Sequence, residues 1–438
     1  MQLSKYLIPV QEHVSKDATV RSHVLMQQSG MIQKICSGLY NWLPFGLAVM
    51  RKVEDIVRQE MNNIGAIELL TPCIQPKGIW EESGRVDAYG KETLQISDRH
   101  NKIMLFAPSA EELVTLIGKF YIKSYTDLPK VLYQIQWKFR DEIRPRFGLI
   151  RAREFLMKDA YSFDIDESQA IKTYYKMYQA YLNIYSKLGL KNVVPAVAGN
   201  GLIGGTLSHE FQLLSDIGEN TVYYEKEILS YISENLSEDF DIEKVRQYYS
   251  VLKEQHDVVK EERYTLQKSK GIELGHIFLF GNNYSKKLGA SVTDKKGDRI
   301  SFFMGSYGIG ISRVVAAIIQ NNSDDKGIIL PINISPFEVV VINLSFDNAD
   351  YCERAKKLYL FLKKLNISCL LDDLRKSPAK KIKDNDLLGI PLQVIVGKDF
   401  INTIQIKRRY NLQSKTINIR DAEFIIPDEL NHIRNYYS

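Results

Sequence analysis

Two neighbouring stretches within residues 133–159, YQIQWKFRDEIRPRFGLIRAREFLMKD, constrain the fold of this chain most strongly. In the first stretch, polar residues alternate with the apolar residues Ile135, Trp137 and Phe139. A period of two predicts a β-strand with one polar and one apolar face. After a loop, a second stretch begins at Arg151 and predicts the partner strand. The polar face of this hairpin would collect Gln134, Gln136, Lys138, Arg140 and Glu142 from one strand and Arg151, Arg153, Phe155, Met157 and Asp159 from the other.

The polar face of the predicted hairpin has the groups needed to bind a nucleotide. Arginine forks bind phosphate bidentately, a carboxylate accepts a hydrogen bond from the adenine amino group, and an aromatic ring stacks on a purine. The alternative is a solvated amphipathic hairpin whose charges pair with each other. Two other segments of similar character favour a ligand site.

The segment GSYGIGISRVVAAIIQ, residues 305–320, predicts a second anion-binding element. It follows a predicted strand, Arg299–Met304, and its glycines, within Gly305–Gly310, lead into an apolar helix. Arg313 falls in the first turn of that helix, where its charge opposes the helix dipole. An anion bound between the glycines and the helix N-terminus would explain both features. An arginine that caps a carboxylate explains them equally well, and the glycine spacing matches neither a dinucleotide fingerprint nor a P-loop.

The segment APSAEEL, residues 107–113, allows two interpretations. Ser109 and Glu111 could project into a pocket, where a carboxylate would hold an ammonium group. Alternatively, Ser109 is a helix N-cap and Glu112 completes a capping box, which would leave Glu111 free.

Together these segments resemble class II aminoacyl-tRNA synthetases, and within that class the bacterial prolyl-tRNA synthetases. The matching segments cover nearly the whole chain in the order of the family. They are GLYNWLPFGLAVMRKVEDIVRQEMNNIGAIELLTPCIQP (38–76), FRDEIRPRFGLIRAREFLMKDAYSF (139–163), GNGLIGGTLSHEFQLL (199–214), KGIELGHIFLFGNNYS (270–285), MGSYGIGISRVVAA (304–317) and LDDLRKSPAKKIKDNDLLGIPLQVIVGK (371–398).

The resemblance implies an α+β catalytic domain, in which an antiparallel sheet is flanked by helices, followed by a smaller α/β anticodon-binding domain. The expected boundaries are 1–335 and 336–438, with Gly327–Pro336 as a linker. The catalytic domain would hold motif 1 at about 38–76, motif 2 at about 133–163, a short insertion at about 221–265 and motif 3 at about 299–320. About 60 residues separate Glu210 from Gly271, too few for the editing domain of many bacterial relatives, so the short form is expected. The polar stretch Leu229–Gln267 predicts helix.

The resemblance also implies roles for single residues. Arg140 would contact the α-phosphate of ATP and the activated carboxylate, Glu111 would take the imino group of proline, and Arg313 would complete the catalytic set. The residues implied for ATP binding are Arg140, Glu142 at the adenine amino group, Phe155 stacked on adenine, Arg151 and Arg313 at the outer phosphates, and Glu273. Those implied for proline binding are Ser109, Glu111, Arg140, Met157, Asp159, Tyr161 and His276. The alternatives are a satisfied strand histidine at His276 and an ordinary core methionine at Met157.

Contacts with tRNA are also expected from the resemblance. Arg144 and Arg146 would meet the acceptor end, and Arg375, Lys380 and Lys381 would meet the tRNA through the anticodon-binding domain. Residues 338–438 hold 17 Lys and Arg against 13 Asp and Glu. Two basic clusters there, Lys380, Lys381 and Lys383 and then Lys407, Arg408 and Arg409, are expected either to meet phosphates or to form solvated basic faces.

The implied reaction is the ATP-dependent ligation of L-proline to tRNA(Pro) through prolyl-adenylate. Magnesium would be bound mainly through phosphate oxygens. The expected assembly is a homodimer, and a separate deacylase would clear mischarged alanine. One alternative is a synthetase of the same class for threonine, glycine or histidine. Another is a non-catalytic tRNA-binding relative, although such proteins usually lose the ATP-contacting arginines.

Composition agrees with a globular enzyme. The chain has 438 residues, of which 45% are hydrophobic and 25% charged, and its formal net charge is +5. We expect neither a signal peptide nor a membrane span. The cysteines are far apart and the seven histidines do not cluster, so no protein-built metal site is expected and a reducing cytoplasm fits.

Overall fold

The computed structural model describes residues 1–199, 207–236, 240–257, 265–397 and 402–437. Residues 200–206 of the expected GNGLIGGTLSHEFQLL motif, Lys398 at the end of the last matching segment, and residues 237–239 and 258–264 of the expected insertion lie outside this description.

The helices follow the apolar periodicity of the sequence. In chain order they are α1 Arg21–Gln28, α2 Pro44–Asn63, α3 Lys77–Ser83, α4 Arg85–Tyr89, α5 Glu111–Tyr121, α6 Glu167–Lys187, α7 Glu227–Asn235, α8 Ile242–Val245, α9 Asn283–Lys287, α10 Ile311–Asn321, α11 Ala349–Lys364, α12 Pro378–Leu388 and α13 Ala422–Tyr437.

The strands fall into several sheets, described below. In chain order they are β1 Ile32–Cys36, β2 Leu39–Trp42, β3 Ile67–Glu68, β4 Ile74–Pro76, β5 Leu94–Ser97, β6 Ile103–Phe106, β7 Lys130–Phe139, β8 Glu154–Asp164, β9 Val193–Val197, β10 Leu207–Leu214, β11 Asn220–Glu225, β12 Ser250–Leu252, β13 Leu266–Gly281, β14 Ser291–Thr293, β15 Arg299–Ser301, β16 Phe303–Gly310, β17 Ser323–Asp324, β18 Gly327–Ile328, β19 Val339–Asn343, β20 Cys369–Asp372, β21 Leu392–Val396, β22 Thr403–Arg408 and β23 Ser414–Asn418.

The chain divides into two compact units. One comprises residues 56–186 and 190–314, and the other comprises residues 1–55, 187–189 and 315–438. The sequence-based division at residue 335 is a different partition, drawn from family motifs rather than from compactness, and it stays a prediction.

The first unit is built on a large, mostly antiparallel sheet. Among the described residues its strand order is β10-β9-β12-β11-β13-β16-β8-β7-β3, and β10 also pairs with β13. Side chains from α5, β8, β13 and β16 form an apolar cluster beside it that includes Val114, Phe163, Phe280 and Met304. An antiparallel sheet with helices beside it agrees with the expected catalytic fold.

The motif 2 hairpin forms, but its strands are shorter than alternation predicts. Pairing between β7 and β8 ends at Phe139 opposite Glu154, so Arg140, Glu142 and Arg151 lie in the connection. Phe147 adopts a left-handed conformation with φ of 61°, and a 3₁₀ turn follows at Gly148–Ile150. A connection with this curvature cannot continue the ladder, and the prediction that a strand starts at Arg151 is therefore wrong.

Two other local predictions are corrected. The strand predicted at Arg299–Met304 ends too early, because β16 continues through Gly310 and is hydrogen-bonded on both sides, to β13 and to β8. The stretch Leu229–Gln267 is helical only in part, since it also contains β12 and the first residues of β13, which join the large sheet.

The C-terminal part of the second unit is a small α/β sheet of order β20-β19-β21-β22-β23. β19 pairs in parallel with β20 and β21, while β22 and β23 are antiparallel, so the sheet is partly parallel and the expected α/β domain is confirmed. Gly327–Pro336 is not an open linker, because Ile328, Leu330 and Ile334 are at most 1% exposed. A search of the described residues for a helix long and apolar enough to cross a membrane found none.

Candidate active site

The strand register of the large sheet aligns polar residues in one row across five strands. Gln134 on β7 pairs with Asp159 on β8, which pairs with Gly308 on β16. Gly308 pairs with His276 on β13, and His276 with Glu210 on β10. Residues directly opposite each other point to the same face of a sheet. The row therefore presents carboxylate, imidazole and amide groups on one surface, with a glycine at its centre.

A cavity of about 250 Å³ is formed over part of this row. It is lined by all seven residues expected to bind proline, Ser109, Glu111, Arg140, Met157, Asp159, Tyr161 and His276, together with Tyr89, Glu92, Glu273, Phe278, Ser306 and Gly308. A smaller cavity of about 50 Å³ shares Arg140, Met157, Glu273, His276 and Gly308 with it and adds Phe155 and Arg313. The residues predicted for proline, and the predicted ATP residues Arg140, Phe155, Glu273 and Arg313, thus line two adjoining spaces.

Gly308 leaves the room that the cavity needs. A Cβ atom at this position would lie 2.3 Å from the Met157 Cε atom, a distance that real contacts do not reach. The glycine therefore lets the Met157 side chain cross the neighbouring strand. Met157 is a lining residue of the cavity, and the interpretation as ordinary core does not describe it fully.

The carboxylate of Glu111 lies at the start of α5, where the capping-box interpretation fails. The N-cap residue is Ala110, and it makes no side-chain capping bond. The Ser109 hydroxyl instead accepts a hydrogen bond from Arg85 Nη2 (2.9 Å), and Arg85 Nη1 donates to Glu111 (2.8 Å) and to Glu112 (3.0 Å). Glu111 is therefore not free, because it shares a buried guanidinium with Glu112.

Electrostatics of this buried cluster separate the two glutamates. Burial by itself opposes ionisation of Glu111, but the Arg85 guanidinium outweighs it and holds the pKa of Glu111 below its usual value. Burial raises the pKa of Glu112, and the neighbouring Glu111 charge adds to the effect. Glu111 is the better candidate for a permanent negative charge facing the cavity.

Asp159 is already surrounded by donors. Lys138 Nζ lies 3.1 Å from Asp159 Oδ1, and the Oδ2 atom accepts hydrogen bonds from Gln134 Nε2 and Tyr161 Oη (both 2.8 Å). Lys138 and Asp159 are both almost fully buried. Asp159 consequently orders the cavity wall, although its Oδ1 atom has no hydrogen-bond partner among the described residues.

Arg140 has donors that the described residues do not use. Its Nη2 atom donates to the Pro108 carbonyl at 3.3 Å, and its buried Nε atom has no hydrogen-bond partner among the described residues. Its guanidinium lies over the Phe155 ring, 5.3 Å from the centroid. An anion that entered the cavity would satisfy the unused donor.

The two remaining motif 2 residues lie in the connection and hold each other. Arg151 Nε donates to Glu142 (2.8 Å), and Arg151 Nη1 donates to Glu219 (2.8 Å). Arg146 also bonds Glu219 (3.1 Å), while Arg144 is exposed. Burial disfavours the ionised form of Glu142, but Arg151 outweighs it and lowers the pKa of this carboxyl. Neither Glu142 nor Arg151 lines the two cavities, and Glu219 was not anticipated from the sequence.

Arg313 occupies the first turn of α10 as predicted, and its partner is a carboxylate. Arg313 Nη1 donates to the side chain of Glu273 (3.0 Å) and to its carbonyl oxygen (2.9 Å). Although burial opposes ionisation, Arg313 holds the pKa of Glu273 below its usual value. The alternative interpretation, in which this arginine pairs with a carboxylate, is confirmed. Arg313 and Glu273 also line the smaller cavity.

His276 combines the two interpretations considered for it. Its Nε2 atom is hydrogen-bonded to Ser208 Oγ (2.8 Å), and its ring stacks on Phe278 with centroids 3.7 Å apart. Burial lowers the pKa of His276 to about 4, so the ring is neutral near pH 7.

Burial, with the charge of Glu273, raises the pKa of Glu210 to about 8. Atoms of Glu210, Glu273 and His276 suited to bind a metal lie within 4.8 Å of one another.

Sequence reasoning missed the residues that organise this site. Arg85, Glu112, Glu210 and Glu219 were given no ligand-related role, and Lys138 was recognised only as part of a polar face. The available signal was charge balance, because each of these residues partners a predicted site residue.

The basic residues expected to meet tRNA in the C-terminal region differ in exposure. Arg375 is exposed and bonds Asp347 (3.0 Å), and Lys380 bonds Glu12 (3.1 Å) with a third of its side chain exposed. Lys381 is 0% exposed, and its Nζ atom bonds the Asp372 carbonyl (3.1 Å). The prediction that Lys381 contacts tRNA is therefore wrong, because its charge is used inside the domain.

The second basic cluster is also not a free surface. Arg409 is 0% exposed and binds Asp324 through two guanidinium nitrogens (2.6 and 2.7 Å). Lys407 bonds Asp386 and Arg408 bonds Glu429. Neither the phosphate-binding nor the solvated-face interpretation of this cluster holds.

Comparisons with known proteins agree with this architecture. Residues 93–322 match the tRNA synthetase class II core domain of the G, H, P, S and T group, and residues 338–428 match an anticodon-binding domain. The chain is 48% identical over 438 residues to a proline--tRNA ligase of Rickettsia typhi, covering 99% of this chain and 100% of that protein. It is 49% identical to a proline--tRNA ligase of Rickettsia africae, covering 93% of this chain and 96% of that protein.

Solved structures show the same fold. A prolyl-tRNA synthetase of Cryptosporidium parvum, complexed with halofuginone and AMPPNP, has a TM-score of 0.76 at 19% identity, over 95% of this chain and 78% of that one. The same enzyme complexed with L-proline and AMP gives 0.75 at 19% identity and the same coverage. The chain therefore belongs to the proline--tRNA ligase family of class II aminoacyl-tRNA synthetases.

Proposed function

We propose that this protein joins L-proline to tRNA(Pro) in two steps, with ATP as the second substrate and prolyl-adenylate as the intermediate. The observation that carries the proposal is the shared cavity, in which the ionised Glu111 and the incompletely bonded Arg140 line the same space. A carboxylate and a guanidinium are complementary to the two charged ends of an amino acid.

In the first step the proline carboxylate attacks the α-phosphorus of ATP and pyrophosphate leaves. Glu111 would hold the ring ammonium, and Arg140 would contact the carboxylate and the α-phosphate. Phe155 would stack on adenine, Glu142 would accept from its amino group, and Arg151 and Arg313 would bind the outer phosphates. Catalysis would come from positioning and from fixed positive charge, with no covalent nucleophile on the protein.

In the second step the 3′-terminal ribose hydroxyl of the tRNA attacks the adenylate carbonyl and AMP leaves. The exposed Arg144 and Arg146 are available to phosphates of the acceptor end. Arg375 and Lys380 are the predicted anticodon-domain contacts that stay available. The proposed location of this reaction is the cytoplasm.

A magnesium ion would fit beside the phosphate-binding Arg313, where Glu273 offers a carboxylate. Carboxylate oxygens are ligands that Mg²⁺ prefers, and Glu273 would supply one, while phosphate oxygens would supply most of the others. When bound, the ion would neutralise part of the phosphate charge.

We also propose that the protein works as a homodimer. Apolar side chains of the motif 1 region and its neighbouring strands are exposed, namely Ile67 (50%), Leu70 (71%), Ile74 (46%) and Ile103 (42%). A second copy of the chain would cover them. Sedimentation equilibrium should give a dimer for the wild type, and Leu70→Asp should shift it towards monomer.

Editing would be supplied by another protein. The segment between β10 and β13 holds only β11, α7, α8, β12 and a 3₁₀ turn at Lys253–Gln255 among its described residues. A pocket sized for proline rejects alanine by only about 1–3 kcal/mol, because little apolar contact is lost. The protein should activate alanine slowly, and hydrolysis of alanyl-tRNA(Pro) well above the uncatalysed rate would contradict the proposal.

The test of the main proposal is pyrophosphate exchange with proline, alanine and threonine, for the wild type and Arg140→Ala. Exchange that depends on proline, is weak with alanine and is lost in the variant is expected. A folded wild-type protein that exchanges with none of these amino acids would instead favour a non-catalytic tRNA-binding role.

A further inference from the structure

We propose that Arg85 is a positioning residue for amino-acid recognition: it fixes Ser109 and Glu111 in the orientation that receives the substrate ammonium, without touching the substrate itself. This inference rests on the proposed function. It assigns a role to a helix that carries none of the predicted ligand contacts, since Arg85 is the first residue of α4.

The guanidinium reaches both polar groups of the recognition segment through different nitrogens. Arg85 Nη2 donates to Ser109 Oγ (2.9 Å), and Arg85 Nη1 donates to Glu111 Oε2 (2.8 Å). The other oxygen of that carboxylate, Oε1, accepts from Ser306 Oγ (3.1 Å). Glu111 is consequently held from two sides, and its rotation is restricted before any ligand arrives.

Arg85 is itself held in place by four further residues, of which Tyr89 alone lines the cavity of about 250 Å³. Its Nη1 atom also bonds Glu112 (3.0 Å), which accepts a further bond from Ser83 Oγ (2.7 Å). The guanidinium lies over the rings of Trp80 and Tyr89, at 4.8 and 4.9 Å from their centroids. Arg85 does not line the cavity of about 250 Å³. Such a fixed fork acts as preorganisation, because the carboxylate need not reorganise on binding.

Charge explains why one arginine serves two carboxylates. A lone Glu111 that is 2% exposed would favour its neutral form, and a neutral acid attracts an ammonium weakly. A single guanidinium paired only with Glu111 would cancel its charge. Because Arg85 Nη1 also donates to Glu112 (3.0 Å), the guanidinium is shared between two carboxylates and is not paired with Glu111 alone.

The experiment compares Arg85→Lys, Arg85→Met and, as a matched control, Ser83→Ala in proline-dependent pyrophosphate exchange. Ser83→Ala removes a buried hydrogen bond from the same cluster but leaves the bonds from Arg85 to Ser109 and Glu111 in place. Each variant is also inhibited with cyclopentanecarboxylate, which keeps the ring and the carboxylate of proline but has no amine. Thermal unfolding reports the stability of each protein.

Arg85→Lys should raise the KM for proline by about tenfold or more, as expected for weakened hydrogen bonds to a charged group. The KM for ATP and the inhibition constant of cyclopentanecarboxylate should change by less than about twofold, since neither depends on the amine contact. Ser83→Ala should lower the melting temperature with an unchanged KM for proline. Arg85→Met, if it folds, should raise the KM for proline more than Arg85→Lys does.

An unchanged KM for proline in Arg85→Lys would overturn the inference. Equal weakening of proline and cyclopentanecarboxylate would also overturn it, because a purely structural role affects both. A wild-type protein without proline-dependent pyrophosphate exchange would contradict the proposed function, and with it the inference about Arg85. Normal wild-type exchange with unaltered variants would reject the inference alone.

Discussion

The motif 2 region and the C-terminal α/β domain both contain clustered cations, yet their surroundings give them different roles. Arg140 of motif 2 and Arg313 of motif 3 line the cavities, and Arg151 of motif 2 and Arg313 keep 33% and 27% of their side chains exposed. Lys381 and Arg409 have no exposed surface, and both are bonded to aspartates. Both regions contain positively charged side chains. Burial, and the presence of a carboxylate partner, therefore decide which of these cations remain available to an anion.

Lys381→Met should produce the largest effect. It would leave Asp372, which is 2% exposed, as a buried carboxylate without its cation, and the free energy of unfolding should fall by about 3–5 kcal/mol. Chemical denaturation measures the change. Lys380→Met is the matched neighbour and should leave stability nearly unaltered. If the two variants were equally stable, burial would not be what separates the two classes of cation.

Arg140→Ala should produce the second largest effect, and this variant should lower catalysis rather than stability. The fixed positive charge at the reacting carboxylate would be lost, and exchange should fall by about 10²–10³-fold, the range found when one electrostatic donor is removed. Single-turnover adenylate formation checks it. Near-normal turnover with normal folding would show that Arg140 belongs with the structural cations.

Asp164 is a buried carboxylate that has no ion-pair partner among the described residues, in contrast to Asp372, which is paired with Lys381. It ends β8, accepts from Thr173 (2.6 Å), and leaves its Oδ2 atom without a hydrogen-bond partner among the described residues. Burial raises the pKa of Asp164 from 3.8 to about 6. The folded protein therefore keeps a proton that the unfolded chain releases, and this contribution to stability is lost as the pH rises through about 6.

The Asp164→Asn variant isolates that contribution. The difference in unfolding free energy, variant minus wild type, should increase between pH 4 and 6 and level off above that range. Urea denaturation at several pH values measures it. A constant difference would mean that Asp164 is ionised throughout. The buried histidines titrate in both proteins and cancel in the difference.

Glu219→Gln should give the smallest effect. Glu219 bonds Arg151 and Arg146, so it competes with phosphate for these guanidiniums. Weakening this partly exposed pair by loss of charge should lower the KM for ATP by about twofold to fivefold, since exposed ion pairs contribute at most about 1 kcal/mol. ATP titration of the exchange rate checks it. A higher KM would indicate that Glu219 orients Arg151 for the nucleotide.

The local pattern predicted the strands better than the connections between them. Alternation identified β7 and β8 because a strand with one buried face repeats every two residues. It extended the strands too far, through Arg140 and Arg151, because charged residues continue the alternation beyond the strand ends at Phe139 and Glu154. The strand predicted at Arg299–Met304 ended too early, because the glycines that follow it in β16 are permissive in any conformation and give no strand pattern.

The amino-acid sequence by itself determined the family, the fold class and which residues would surround one cavity, because these depend on motifs and periodicity that are local. Tertiary structure alone decided that Arg85 holds Glu111, that Asp159 is already bonded to Lys138, and that Lys381 is buried. Each of these depends on which distant segments become neighbours. Burial then fixes the strength of every charge, and no single stretch of sequence contains that information.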